Sequence, residues 1–354
     1  MSAGWVAGSV RARGLAKRRI GAEAARQLAS CGSLAEALAQ LAATPYGGGR
    51  DGGGVFGGTL GGGSAGAGSA VGGPLGGASF GGGAAAGWAD PDEPGGAGMP
   101  GAVAAAQHAV AATLLWDLRV LAGWLPQGSA QLMRTLAGWF EIANVAERLR
   151  ELAGQQAGDL FTLGAVATAW PQLRRAASLA DLRAALAASA WQDPGDQTAA
   201  AIQVGMRVRW AQRVATLGEP ARTWAASALA LLLAGERFAA GRPDQPVLRS
   251  VAARLLGPAA AAAGTMEELV SSLPGRLSWV LEPASTPADL WLAEAAWWAR
   301  VERDGHGLLA GSGFDQGPVI GATAVLAADA RRVCAALEVA ARGGGPIEVF
   351  DAVA

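Results

Sequence analysis

The sequence predicts an all-α protein, and three observations lead to that class. Ala, Leu, Arg, Gln and Glu, the strong helix formers, fill most positions. Isoleucine is scarce and period-two alternation is never sustained, so strand signals are missing. Apolar residues instead recur every three or four positions, as in Val110, Leu114, Leu118, Leu121 and Leu125, the spacing of a helix with one apolar stripe. With 354 residues and 35.4 kDa the chain is long enough for two or three domains or one large helical body.

Taken from the N-terminus, Arg11, Arg13, Lys17, Arg18 and Arg19 form a basic run with no apolar stretch behind it. A secretory signal peptide is therefore not expected. The run reads as a solvated helix face, or as a contact for acidic partners or lipid head groups. Residues 47–101 are a Gly/Ala-rich tract with scattered Ser and Pro. Glycine costs about 1 kcal/mol against alanine in a helix and buries no side chain, so the tract is expected to be a disordered insertion. Composition changes at Ala102, after which helices dominate.

A phrase recurs along the chain. Ser33, Leu34, Glu36, Leu38 and Leu41 are echoed by Ser178, Leu179, Asp181, Leu182 and Leu186, and again by Thr265, Met266, Glu268, Leu269 and Leu273. In each copy an acid follows a hydroxyl residue by three positions. The hydroxyl can then accept from the third helical amide while the acid sits at the positive end of the helix dipole, so each copy should start a helix. An aromatic closes each copy: Tyr46 and Trp191 lie 13 residues after the hydroxyl, Trp279 lies 14. Ser178 and Thr265 are 87 residues apart; Ser33 and Ser178 are 145 apart, or about 90 once the tract is removed. Three units of similar length are expected: residues 1–46 with 102–155, residues 156–240, and residues 241–354.

Charge and motif exclude several function classes. With 28 Lys+Arg against 29 Asp+Glu, the net charge of −1 lacks the basic excess of a nucleic-acid binder. The longest strongly apolar window, Ala225 to Gly235, is too short to cross a membrane. Cys31 and Cys334 stand near opposite ends without metal or disulfide spacing, which fits a reducing cytosol. Lys17 is the only lysine and follows no phosphate-binding loop, so no nucleotide is expected to bind directly. Ser64 and Ser79 sit in GxSxG matches, but the glycine tract provides neither the strand nor the helix that a nucleophile elbow needs. His108 lies on an alanine-rich helix, and His306, in Asp304-Gly305-His306-Gly307, reads as part of a turn after a helix. The acids Asp90, Asp92 and Glu93 lack calcium-loop spacing. Catalytic, cofactor and metal residues are therefore expected to be absent. Tryptophan is abundant, 13 against one tyrosine. Between Ala288 and Arg303 it gives a wide apolar arc, either a core helix or one whose Trp291 and Trp298 anchor a partner.

Four segments together resemble the C/d-type central-stalk subunit of vacuolar/archaeal-type (V-type) rotary ATPases. The first runs from Val10-Arg11-Ala12-Arg13 through Ser33-Leu34-Ala35-Glu36 to Thr44-Pro45-Tyr46. The second is Phe140-Glu141-Ile142-Ala143-Asn144-Val145 with Leu149-Arg150 beyond it. The third is Gly317-Pro318-Val319-Ile320 through Asp329-Ala330-Arg331-Arg332-Val333, and the fourth is the tail Gly343-Gly344-Gly345-Pro346-Ile347-Glu348. The resemblance spans nearly the whole chain outside the tract. It departs from the family at Glu141 (usually Asp), Ala146 (Lys), Asp329 (Glu) and Arg332 (Asn), and the tract has no family counterpart. It implies a funnel of three pseudo-equivalent helical domains on the cytoplasmic face of the cell membrane. The funnel would receive the rotor shaft, sit on the membrane proteolipid ring, and couple the two during ATP-driven proton or sodium transport or ATP synthesis. Its membrane contact would come only through the complex. Arg11, Arg13, Tyr46, Glu141, Asn144, Asp329 and Arg331 are the motif positions carried over, as structural residues. A helical adaptor with a Trp-rich binding face, and a helical hydrolase using His108 or His306, are the competing readings.

Overall fold

The computed structural model describes residues 3–47, 99–345 and 350–351. The Gly/Ala-rich insertion, the two GxSxG matches and the Asp90, Asp92, Glu93 group lie outside the described residues. Among the described residues there are fifteen α-helices and no strand, in line with the all-α class. They are α1 (Ala3–Ala16), α2 (Gly21–Ala29), α3 (Leu34–Ala42), α4 (Met99–Trp124), α5 (Ala130–Leu136), α6 (Gly138–Leu152), α7 (Trp170–Leu173) and α8 (Leu179–Ala187). There follow α9 (Ala199–Val214), α10 (Ala221–Ala234), α11 (Pro246–Leu255), α12 (Pro258–Ala262), α13 (Met266–Ser272), α14 (Leu290–Ala310) and α15 (Gly317–Ala341). Helix α4 begins at Met99, three residues before the change in composition at Ala102, with Pro100 in its first turn, where the missing N–H has no helical partner to lose.

The repeated phrase starts a helix in all three places. Ser33, Ser178 and Thr265 hold extended backbone angles and accept from the amides of Glu36, Asp181 and Glu268 at 3.2, 3.1 and 3.1 Å. The acid turns back each time, but to the residue before the cap: Gly32 donates to Glu36 at 3.0 Å, Ala177 to Asp181 at 3.2 Å and Gly264 to Glu268 at 2.7 Å. Two otherwise orphaned donors are satisfied at each start. Ser178→Ala is expected to cost about 1 kcal/mol in urea unfolding, the usual worth of such a cap. A loss of only a few tenths would mean that α8 is held by packing alone.

The described residues gather into two compact units. One comprises α1 to α4, residues 299–310 of α14, and α15; the other comprises residues 131–298. In the first, α15 packs against α1, α2, α3 and α4 and is buried on nearly every side. A helix in that position must be largely apolar, and Val319, Val325, Val333, Leu337 and Ala340 meet that requirement. Its approach to α14 is set by two glycines. A Cβ on Gly305 would stand 3.1 Å from the Gly321 carbonyl oxygen, and one on Gly321 would stand 2.7 Å from that of Gly305. This corrects the reading of residues 304–307 as a turn. Helix α14 runs through them to Ala310, because Gly305 serves close helix contact and not a reversal of the chain.

In the second unit α10 is the buried element. The apolar window Ala225 to Gly235 lies entirely inside it and the π turn that follows, Gly235–Ala239. No described helix is long and apolar enough to cross a membrane. Helix α9 packs against α6, α10 and α11, and α7 packs on α8, whose Leu182 and Leu186 are fully buried.

Candidate functional site: a buried carboxylate clasp in each unit

Among the described residues, each unit contains a carboxylate exposed by no more than 1% that accepts from two backbone amides and one ring donor. In the first, Asp329 on α15 accepts from the backbone amides of Ile20 (3.0 Å) and Gly21 (2.8 Å) and from the Tyr46 hydroxyl (2.9 Å). In the second, Glu141 on α6 accepts from the amides of Thr168 (2.6 Å) and Ala169 (2.7 Å) and from the Trp191 indole Nε1 (2.7 Å). The arrangement is alike in both: two consecutive amides at the start of a short helix, and one donor from the aromatic side chain that closes the repeated phrase. Thr44 and Ser189 add a further match. Each stands two residues before the aromatic, accepts its amide (3.2 and 3.1 Å) and donates to the carbonyl three residues back, Leu41 or Leu186 (2.7 and 2.8 Å). Both clasps pin a helix hairpin, α2–α3 or α7–α8, to a longer helix.

Burial decides the electrostatics of Glu141. It pushes the carboxyl upward from its ordinary value, while the three N–H donors and the nearby Arg213 guanidinium pull the other way. Arg213 lies 5.1 Å from the Trp191 ring and makes long hydrogen bonds to the hydroxyls of Thr168 (3.4 Å) and Thr135 (3.4 Å). Burial lowers its own pKa, and Glu141 opposes that shift. In the first clasp the Tyr46 hydroxyl is pushed well above its ordinary value, first by burial and then by Asp329. It stays a donor.

Helix α6 extends the device with one polar stripe at i, i+3 and i+7. Glu141 takes the amides before α7; Asn144 accepts from the Phe161 amide (2.7 Å) and donates to its carbonyl (2.9 Å); Arg148 donates to the Ala176 carbonyl (2.6 Å), two residues before the Ser178 cap. An anion thus meets backbone donors at one end of the hairpin's first arm and a cation meets a carbonyl at the other, as peptide dipoles favour. On α15 the matching positions are Asp329, Arg332 and Ala336. Arg332 turns instead to Glu302 at 2.6 Å. The aromatic after α13, Trp279, is half-buried and donates within its own turn to the Arg276 carbonyl at 3.0 Å. Arg237 reproduces the cationic half, donating to the Ala263 carbonyl, again two residues before the cap, at 2.6 Å.

The remaining sequence-derived positions are spread more widely. Arg13 closes the C-terminal end of α14, donating to the carbonyls of Leu309 (3.0 Å), Gly311 (2.6 Å) and Gly313 (3.0 Å), with its guanidinium 5.6 Å from the Phe314 ring. Arg11 is exposed beside Trp124, and Arg331 is half-buried on α15. Trp298 is buried with Trp297, whose indole donates to the Trp224 carbonyl at 2.9 Å; Trp291 is half-buried. Those two rings are core, so of the proposed partner anchors only Trp291 reaches the surface. His108 and His306 are half-buried on α4 and α14. Cys31 and Cys334 are free thiols in the first unit, and burial pushes Cys334 up to about 12. Sequence reasoning marked Glu141, Asp329, Tyr46 and Trp191 without pairing them, and missed Arg148 and Arg237. The one available signal was the shared offset of Ala176 and Ala263 from their caps.

The fold and clasps define an all-α protein of two helical units, each organised by a buried acid that holds backbone in place. No family model matches the chain, and no curated protein does.

Proposed function

We propose that the chain is a non-catalytic central-stalk subunit of a vacuolar/archaeal-type rotary ATPase. In this reading the repeated hairpins belong to three pseudo-equivalent domains arranged as a funnel. The funnel receives the rotor shaft and rests on the membrane proteolipid ring, carrying torque between them. Its place is peripheral, on the cytoplasmic face of the membrane, with no nucleotide or nucleic acid bound. The observation that supports it most is the clasp: Glu141 and Asp329, the acids of the two family-like motifs on α6 and α15, perform the same task with the same set of donors. Such a part needs resistance to deformation, and carboxylates fixed by three donors in close-packed helices supply it. The alternative, a helical adaptor with a Trp-rich binding face, draws on the partial exposure of Trp291.

The test is affinity purification of the tagged full chain from gently solubilised membranes of its own cell. Rotor-ring proteolipid and shaft subunits are expected in the eluate, and replacing both His108 and His306 by Ala should leave their recovery unchanged. An eluate without ring or shaft subunits would overturn the assignment, and recovery of one unrelated soluble partner would favour the adaptor.

A further inference from the structure

We propose that the exposed side of α1, together with Trp124 at the end of α4, is a docking surface for a membrane bearing anionic lipid headgroups. The inference does not depend on the rotary-ATPase reading and goes beyond contact made only through a complex. It begins with solvent exposure. Val6, Val10 and Trp124 are 38, 60 and 52% exposed, and among the described residues the only other large apolar side chain so exposed is Leu160. The three belong to one surface. A Cβ on Gly4 would lie 3.0 Å from the Pro126 ring, one on Gly8 2.4 Å from Leu125, and Arg11 stands 5.9 Å from the Trp124 ring, so α1 lies directly along the end of α4.

Charge identifies the occupant. Residues 1–22 hold Arg11, Arg13, Lys17, Arg18 and Arg19 and not a single acid. Arg13 is spent on the carbonyls after α14, and Arg18 faces Asp117 at 3.8 Å. Arg11 remains exposed on the same helix as Val6 and Val10, and Lys17 and Arg19 are exposed in the turn just beyond its end. The exposed residues of α1 therefore run Ala3, Val6, Val10, Arg11 and Gly14, with Lys17 directly after the helix, apolar at one end and cationic at the other. Aliphatic side chains, a tryptophan and cations on one helical surface are the composition of segments that settle at the headgroup layer, where the apolar groups reach the acyl boundary and each cation meets lipid phosphate. A protein interface ordinarily carries a rim of both charge signs and is depleted in lysine. Helix α1 itself carries no acid, and a lysine follows directly on its end. Of the acids near it, Asp117 is buried against Arg18, and Asp315 lies beside Ser9 and Arg13, past the end of α14.

Flotation of the full chain with liposomes tests the proposal. One set is pure phosphatidylcholine, the other phosphatidylcholine mixed with phosphatidylglycerol. Binding is expected only to the anionic set and should weaken as salt rises. Val10→Asp and Lys17→Glu, both at exposed positions and checked for unchanged helicity by circular dichroism, should each weaken it about tenfold or more. No binding at low salt, equal binding to both liposome sets, or variants that float like the parent would each overturn the proposal. So would retention of an acidic polypeptide by this surface while anionic liposomes are ignored.

Discussion

Asp329→Ala is expected to lower the unfolding free energy by roughly 3 to 5 kcal/mol in urea titrations. The substitution removes a charged acceptor from the interior and leaves two amides and a phenol, those of Ile20, Gly21 and Tyr46, without a partner. Each stranded donor costs about 1 to 3 kcal/mol, partly recovered when water enters. Tyr46→Phe removes one donor and should cost about 1 kcal/mol, and markedly less in the Asp329→Ala background, since the two groups share one interaction. Glu141→Ala should cost as much as Asp329→Ala, because its three donors are of the same kinds. A loss below about 1 kcal/mol for either alanine variant would show that the clasp is incidental to stability.

Acidity separates Glu141 from a simple acceptor. Burial raises its pKa in the folded chain above the ordinary 4.5, so the ionised form is less favoured there than in the unfolded chain. Its contribution to stability is full below the unfolded value and is lost as pH rises through the folded one. Glu141→Gln lacks that dependence, and the gap between parent and variant should therefore narrow as the solution is taken from acidic to neutral. A gap that widens over the same range would contradict the assigned shift.

The second large effect is expected at Leu182→Ala, at roughly 2 to 5 kcal/mol. Leu182 is 0% exposed on α8, a short helix of 9 residues whose other fully buried side chain is Leu186. Removing its side chain opens a void that close-packed neighbours fill only in part. Loss of less than half a kcal/mol would place this side of α8 at the surface, against its position in the fold.

What the sequence revealed and what it hid follow from the range of each interaction. The caps at Ser33, Ser178 and Thr265 were legible because hydroxyl and acid lie three positions apart and act on amides beside them. The buried side of α8 was legible from Leu182 and Leu186. The clasps were not, since Trp191 reaches an acid 50 residues away and Tyr46 one 283 residues away. Most of their donors are backbone amides, which leave no mark in residue identity. Gly305 was misread for a related reason: a glycine chosen for contact with Gly321 looks, in sequence, like one chosen for a turn. Trp298 was offered as a surface anchor because helical periodicity tells which residues share a side but not how much of the helix is covered.

The reach from Tyr46 to Asp329 also orders events on the ribosome. Residues 131–298 are contiguous and include the acid of their own clasp, so they can close while the chain is still emerging. Helices α1 to α3 are made first yet wait for α15, with all of the other unit synthesised in between. During that interval the sides that α15 will cover lie open, and protection by a nascent-chain chaperone would matter most there.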